Sequence, residues 1–291
     1  MRIFNETDFK FGHRVAMYDP EKPFLTFVAK GTFALVPDGP CVALPKADQP
    51  KLAASQKFLD KHGNAFKAAN DMVPFKPKAD CSFIGSAYAP GGKPVEALEV
   101  SFGVGPMRKR LAVVGDRKWV RQADGGVAVD GPEPFREMPI RPEYAHGGPR
   151  SKFNRHGIGF GTLGPEAGAA LPIANVMVPG APVAAWDKDG ESAGFGVVPF
   201  SMQPRLALAG TFDDDWLFRR RPLPPKDFDV GFFNAAPPDQ QIDGFLRGDE
   251  EIHLENLHPT APTFRSHLPG VRVRCFVHRS MDLEHHSGFE F

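Results

Sequence analysis

Ala97-Leu98-Glu99-Val100-Ser101-Phe102-Gly103-Val104 and Arg110-Leu111-Ala112-Val113-Val114-Gly115 flank a turn at Gly105-Pro106. Two apolar runs of strand length around a Gly-containing break read as a β-hairpin. The same punctuation recurs along the chain, with 30 Gly and 30 Pro among 291 residues. Pro ends helices and is excluded from central strand positions, while Gly supplies the backbone angles of turns. The core material is Phe, 26 against 3 Tyr. Phe has no hydroxyl that needs a partner and suits a dry interface between sheets.

Working outward, Phe24–Lys30 and Thr32–Val36 read as strands followed by the turn Pro37-Asp38-Gly39-Pro40. Arg205–Ala209 and Val271–Val277 are further candidates, the latter with its odd-numbered residues facing the core and its Arg facing solvent. Helical signals are few. Lys51–Lys67 lacks Pro but is interrupted by His62-Gly63-Asn64; Pro165–Ala170 is short; Pro238–Leu246 has room for one or two turns capped by Asp239. No strand–helix rhythm appears, which argues against a doubly wound parallel sheet. The expected fold is mainly β, an antiparallel sandwich or barrel-like architecture with few short helices and long Gly/Pro-rich loops. It is expected as one domain over 1–279, with two lobes meeting near 141–150, and a tail over 280–291.

Lys plus Arg equals Asp plus Glu at 35 each, so the formal charge is zero. That balance argues against a nucleic-acid binder acting through bulk electrostatics. No run approaches the roughly 18 apolar residues of a membrane span, and Met1–Glu6 lacks the apolar core of a signal peptide. A cytoplasmic protein with no membrane partner is the expectation. Cys41, Cys81 and Cys275 are an odd, sparse set and read as buried, unpaired thiols.

Chemical motifs are weak throughout. Gly157-Ile158-Gly159-Phe160-Gly161 lacks the preceding strand and following helix of a phosphate cradle. Asp213-Asp214-Asp215, read as extended, would point alternately and not converge on a cation; mutual pairing with Arg219-Arg220-Arg221 around Trp216 is the simpler reading. The stiff strap Arg219–Lys226 reads as an ordered loop paired to nearby acids. None of the ten histidines forms a compact ligand pair. An enzyme, a hydrolase or lyase, would have to be assembled from Asp116, His146, His156 and Asp213, with Cys81 as a further nucleophile candidate. No metal or cofactor is expected.

The order of short motifs resembles a bacterial family, domain of unknown function family 2169, associated with type VI secretion loci. The resemblance begins with Lys30-Gly31-Thr32-Phe33 and Asp71–Asp80, which includes Lys76, Pro77 and Asp80. Gly85–Lys93 follows, then Val114-Gly115-Asp116-Arg117-Lys118-Trp119 and Tyr144-Ala145-His146-Gly147-Gly148. Asn154–Phe160, with Gly157 and Gly159, and Leu171–Asn175 carry the middle. The most specific part is Ala209-Gly210-Thr211 through Trp216, then Arg221-Pro222-Leu223-Pro224-Pro225-Lys226-Asp227-Phe228-Asp229. Phe232–Gln240, with Ala236, Pro237, Asp239 and Gln240, and Leu246-Arg247-Gly248-Asp249-Glu250 complete it. His146, Arg155-His156 and the end after Arg279 depart from the pattern. The resemblance implies an adaptor or chaperone that binds a toxic effector and helps load it onto the secretion spike, with no catalytic residues to carry over. A structural component of the secretion machine is the remaining alternative. On the adaptor reading the motif residues are structural: Trp119 and Trp216 are expected to be substantially buried, with Asp116, Asp213, Asp227 or Asp229 accepting hydrogen bonds from backbone N–H groups or Arg.

Overall fold

The computed structural model describes residues 4–17, 23–55, 57–58, 66–161, 170–278 and 288–290. The chain is mainly β and its sheets are antiparallel, apart from the short parallel pair His146–Gly147 and Ile158–Gly159. Among the described residues no sheet closes into a barrel.

The hairpin at 97–114 forms the centre of the hydrophobic core. Ala97–Val104 pairs with Met107–Val114 in unbroken register from Met107↔Val104 to Val114↔Ala97. Its two-residue turn starts at Gly105, whose φ of 53° suits a residue without Cβ. The second strand starts three residues earlier than the apolar run, at Met107, because the turn is tight. Three more strands complete the sheet, in the order Val176–Met177, Met107–Val114, Ala97–Val104, Glu251–Glu255, Thr263–His267. Five successive residues, Val100 to Val104, are buried, so both faces of this strand are covered. Leu111 and Val113 are fully buried, and each such side chain contributes about 1.5–3 kcal/mol on leaving water. Phe83, Phe102 and Phe195 pack over one face with ring centroids 5.6–6.0 Å apart. Residues on both sides of 141–150 enter this core, from Cys81 through Ala145 to Phe264.

The outer edge of the sheet is sealed by the turn near residue 39. Asp38 N–H donates to the Arg265 carbonyl at 2.9 Å, Cys41 N–H to His267 at 2.8 Å, and His267 N–H to Gly39 at 2.9 Å. A smaller sheet of Val127–Asp130, Arg117–Arg121 and Leu171–Ile173 continues from the hairpin. The connection at Gly115 passes so close to Glu133 that a Cβ would lie 1.8 Å from its carbonyl oxygen. An N-terminal hairpin, Lys10–Ala16 with Phe24–Lys30, is tied down by the Lys30–Asp71 ion pair at 2.7 Å.

Several expectations fail, each for a local reason. Arg205–Ala209 is a 3₁₀ turn rather than a strand. Its Ala, Leu and Arg are good helix formers, and Ala207 N–H donates back to Pro204. Residues 271–275 are not a strand and Val271 and Val273 are exposed; they pair with no described strand, so nothing buries their odd face. Only Phe276–His278 is extended. In the second expected strand only Phe33–Ala34 pairs. Pro238–Gln240 is a single 3₁₀ turn that gives way to the strand Gln241–Asp243, and Asp239 caps nothing because its carboxylate pairs with Lys109 at 2.9 Å. Within Lys51–Lys67 the described residues Lys57–Phe58 pair with Phe66–Ala68 as strands; His62-Gly63-Asn64 lies outside the described residues, as do Pro165–Ala169 and most of the 280–291 tail.

Candidate protein-binding surface

The loop over 209–229 is built by side chains that substitute for missing secondary structure. Gly210 adopts φ 79°, beyond what an L side chain accepts comfortably, and turns the chain so that Thr211 faces Asp227. Thr211 donates to that carboxylate twice, from N–H at 2.9 Å and from Oγ1 at 2.7 Å. The N–H and hydroxyl of Thr211 hold the Asp227 carboxyl below the usual carboxylate range. Asp213 accepts Trp216 N–H at 2.8 Å and starts one wide helical turn, Trp216–Arg220, so the three acids are not extended as expected. Trp216 Nε1 donates to the Leu223 carbonyl at 2.9 Å, and Arg220 Nε donates to Pro224. Asp215 sits 3.2 Å from both Arg219 and Lys226. That is the expected pairing of the two charge runs, though exposed pairs of this kind are worth at most about 1 kcal/mol.

This framework presents apolar groups to water. Phe218 is 79% exposed, Phe212 60% and Leu217 42%. Phe212 stands edge-on to Trp216 at 4.8 Å, which fixes its ring without covering it. Trp216 is largely covered, as expected, by the loop on which its one-turn helix packs and not by the sheet core. Trp119 is likewise largely covered, meeting Trp186 edge-on at 5.2 Å. The sequence gives little warning of this surface. Its only signal is the set of apolar residues threaded between the acidic and basic runs.

The other motif residues knit loops together. Lys76 pairs with Asp80 at 2.7 Å, and Asp80 also accepts Asn234 Nδ2 and Ala235 N–H, each at 2.8 Å. Asn154 donates to the Pro142 carbonyl at 2.7 Å and to Ser192 Oγ at 3.0 Å, beneath the Gly147/Gly159 pair. Gln240, fully buried, donates to the carbonyls of Cys81 and Phe195. Glu250 accepts the N–H groups of Arg247 and Gly248, which keep its carboxyl below the usual range against the opposing cost of desolvation. Asp229 accepts Gly231 N–H at 2.7 Å. Asp116 accepts the Asn175 side-chain amide at 2.8 Å.

Asp116, His146, His156 and Asp213 are not brought together. Asp116 lines a cavity of about 430 Å³, His156 one of about 340 Å³ and His146 one of about 410 Å³, while Asp213 lines none of these. His146 Nε2 is engaged with the Lys188 carbonyl at 2.9 Å. Cys81 is buried, and burial first, then Asp80 and Glu250, pushes its thiol up to about 11. Such a thiol is a poor nucleophile at neutral pH. Cys41 is also buried and free, whereas Cys275 is partly exposed. Among the described residues no three His, Cys, Asp or Glu side chains are placed to hold a metal, and no helix is long and apolar enough to cross a membrane.

A β-rich scaffold whose loops are held by polar side chains, and which displays an ordered aromatic patch, is the class that fold and surface define. The family model described as "uncharacterized protein conserved in bacteria", domain of unknown function 2169, matches residues 21–288, and the chain belongs to that family. Among curated proteins and among solved structures there is no match.

Proposed function

We propose that this protein is a type VI secretion accessory factor, an adaptor or chaperone that binds a toxic effector polypeptide and assists its loading onto the secretion spike. The observation that carries the reading is the exposure of Phe212, Leu217 and Phe218 on a loop already fixed by Asp213, Asp227 and Trp216. Aromatic anchors that are ordered before binding lose little conformational freedom when a partner covers them. The choice of an effector as the partner rests on the resemblance of the motifs to a family associated with type VI secretion loci. An effector awaiting delivery exposes apolar surface, and covering it contributes roughly 25 cal/mol per Å² before association costs. A specific contact of this kind buries at least about 1,200 Å² in total.

The test is a tagged pulldown from a bacterium that encodes the protein, with the partners identified by mass spectrometry. The effector should copurify, and Phe212→Ser/Phe218→Ser should lose it while remaining folded. Deleting the gene should leave the effector insoluble or degraded. Unchanged effector level, solubility and export in the deletion strain would end the adaptor reading. Retention of the protein in the assembled machine at fixed stoichiometry would make it a structural component instead.

A further inference from the structure

The cavity of about 410 Å³ lies between the small sheet and the segment 176–193, and its walls are mostly apolar, among them Trp119, Val176, Val178 and Val183. Its volume falls within the range of small-ligand pockets, about 300–1,000 Å³. Arg117 stands in its wall, on the strand Arg117–Arg121. Nη2 of this guanidinium donates to the Ala174 carbonyl at 2.8 Å and reaches Met177 Sδ at 3.4 Å. Its Nε is buried without a hydrogen-bond partner. Among the described residues no carboxylate lies within salt-bridge distance of it, and desolvation alone draws its pKa down.

A partly desolvated cation without a counter-ion costs free energy that an arriving anion would recover. The acids of the cavity do not supply that anion. Asp189 is committed to Ser151 Oγ at 2.7 Å and to the N–H groups of Lys152 and Gly190, and Glu191 makes no ion pair with Arg117. Arg117 also borders the cavity of about 430 Å³, but that one carries Asp116, Asp130 and Glu133 and repels an anion. The 410 Å³ cavity therefore combines a guanidinium that has no carboxylate partner among the described residues, with His146 and Lys188 also in its wall, and a mostly apolar lining.

We propose that this cavity binds a carboxylate carried on an apolar group, with the carboxylate on the Arg117 guanidinium and the apolar part against Trp119 and Val183. A guanidinium suits a carboxylate here because it is always charged and more weakly hydrated than an ammonium. Two sources share this chemistry: a medium-chain carboxylic acid and the C-terminus of an apolar peptide. The inference does not rest on the adaptor reading, and either stands if the other fails.

Isothermal titration of the intact protein, alongside Trp fluorescence, tests it with three probes: octanoate, an acetylated tetrapeptide of apolar residues with a free C-terminus, and the same peptide as its amide. Saturable binding of octanoate or of the free-acid peptide is expected, with the Trp signal changing and the amide at least about tenfold weaker. Binding of octanoate alone assigns the small acid, and tighter binding of the peptide acid assigns a polypeptide terminus. Arg117→Gln should weaken the acid at least tenfold and Arg117→Lys by less. Because Arg117 also supports Ala174, Ala184→Trp provides a second variant: it fills the cavity from an exposed lining position, leaves the guanidinium in place and should abolish binding. Equal affinity for acid and amide, an undiminished affinity in both a folded Arg117→Gln and Ala184→Trp, or no binding of any probe at millimolar concentration would overturn the proposal.

Discussion

Replacing Gln240 by Leu removes the side chain that joins three segments of the core. Gln240 is fully buried and its amide nitrogen donates to the Cys81 carbonyl at 2.8 Å and to the Phe195 carbonyl at 2.9 Å. The Phe195 carbonyl keeps a second donor, Phe83 N–H at 3.0 Å. Two net hydrogen bonds at about 1 kcal/mol each, with a further penalty of about 1–3 kcal/mol for the Cys81 carbonyl left buried, set the loss. Against it stands the Gln240 Oε1, which is buried without a partner and whose removal recovers roughly 1 kcal/mol. The expected net destabilisation is therefore about 2–4 kcal/mol, a large part of a usual total of about 5–15 kcal/mol. Urea unfolding at 25 °C reads it as a lower midpoint with unchanged slope. Gln240→Glu adds a sign test. Its ionised carboxylate would face two carbonyl oxygens, so its folded pKa rises above the free value of about 4.3. A raised folded pKa gives stability that is present at acid pH and lost as pH climbs. Gln240→Glu should thus approach the parent below about pH 4 and fall well behind it at pH 7. A Gln240→Leu protein as stable as the parent would refute the account of Gln240 as the core's polar tie.

Gly115→Ala should destabilise by about 1–3 kcal/mol, because its Cβ meets the Glu133 carbonyl, whereas Gly190→Ala, which has open space, should be near neutral by the same unfolding assay. His253 is buried in the central sheet, its Nδ1 lacks a partner, and burial first, then Arg108, lowers its pKa from 6.5, with Arg265 adding to this while Glu255 and Glu251 oppose it. A lowered histidine pKa means that the unfolded chain binds the proton first, so stability should fall as pH drops below about 6.5. His253→Gln should flatten the unfolding midpoint's dependence over that interval. Iodoacetamide at neutral pH should label Cys275 rapidly and Cys81 only after denaturation, as counted by intact-mass spectrometry.

The hairpin at 97–114 was legible because strand formation there is local: two apolar runs and a Gly turn carry the whole signal. The loops were not, because their conformation is set by partners far away in sequence. Gln49 fixes the backbone of Thr32, and Asn234 reaches Lys78 and Asp80, contacts that no window of a few residues contains. Alternation misled over 271–275, where the pattern is present but no described strand pairs with it. The acids of the 209–229 motif were legible as hydrogen-bond acceptors, since Asp before a turn caps N–H groups. What their turns hold up for display, Phe212 and Phe218, depends on packing and left no periodicity. The Arg117 cavity is still less readable, because its walls come from segments whose proximity only the folded chain establishes.

The order of strands in the central sheet sets a schedule for synthesis. The strand Ala97–Val104 lies between Met107–Val114 and Glu251–Glu255, so one of its flanks waits for a neighbour encoded well over a hundred residues later. At about 5–20 residues per second, a ribosome needs roughly 7–27 s to travel from Val114 to Glu251. During that interval the hairpin's open flank exposes unpaired backbone groups beside Phe102 and Val104. The turn that seals the far edge is made early, yet it has nothing to seal until His267 has left the exit tunnel. Completion of this core therefore waits on the strands Glu251–Glu255 and Thr263–His267, and until they are made the hairpin is a sheet with one side unfilled.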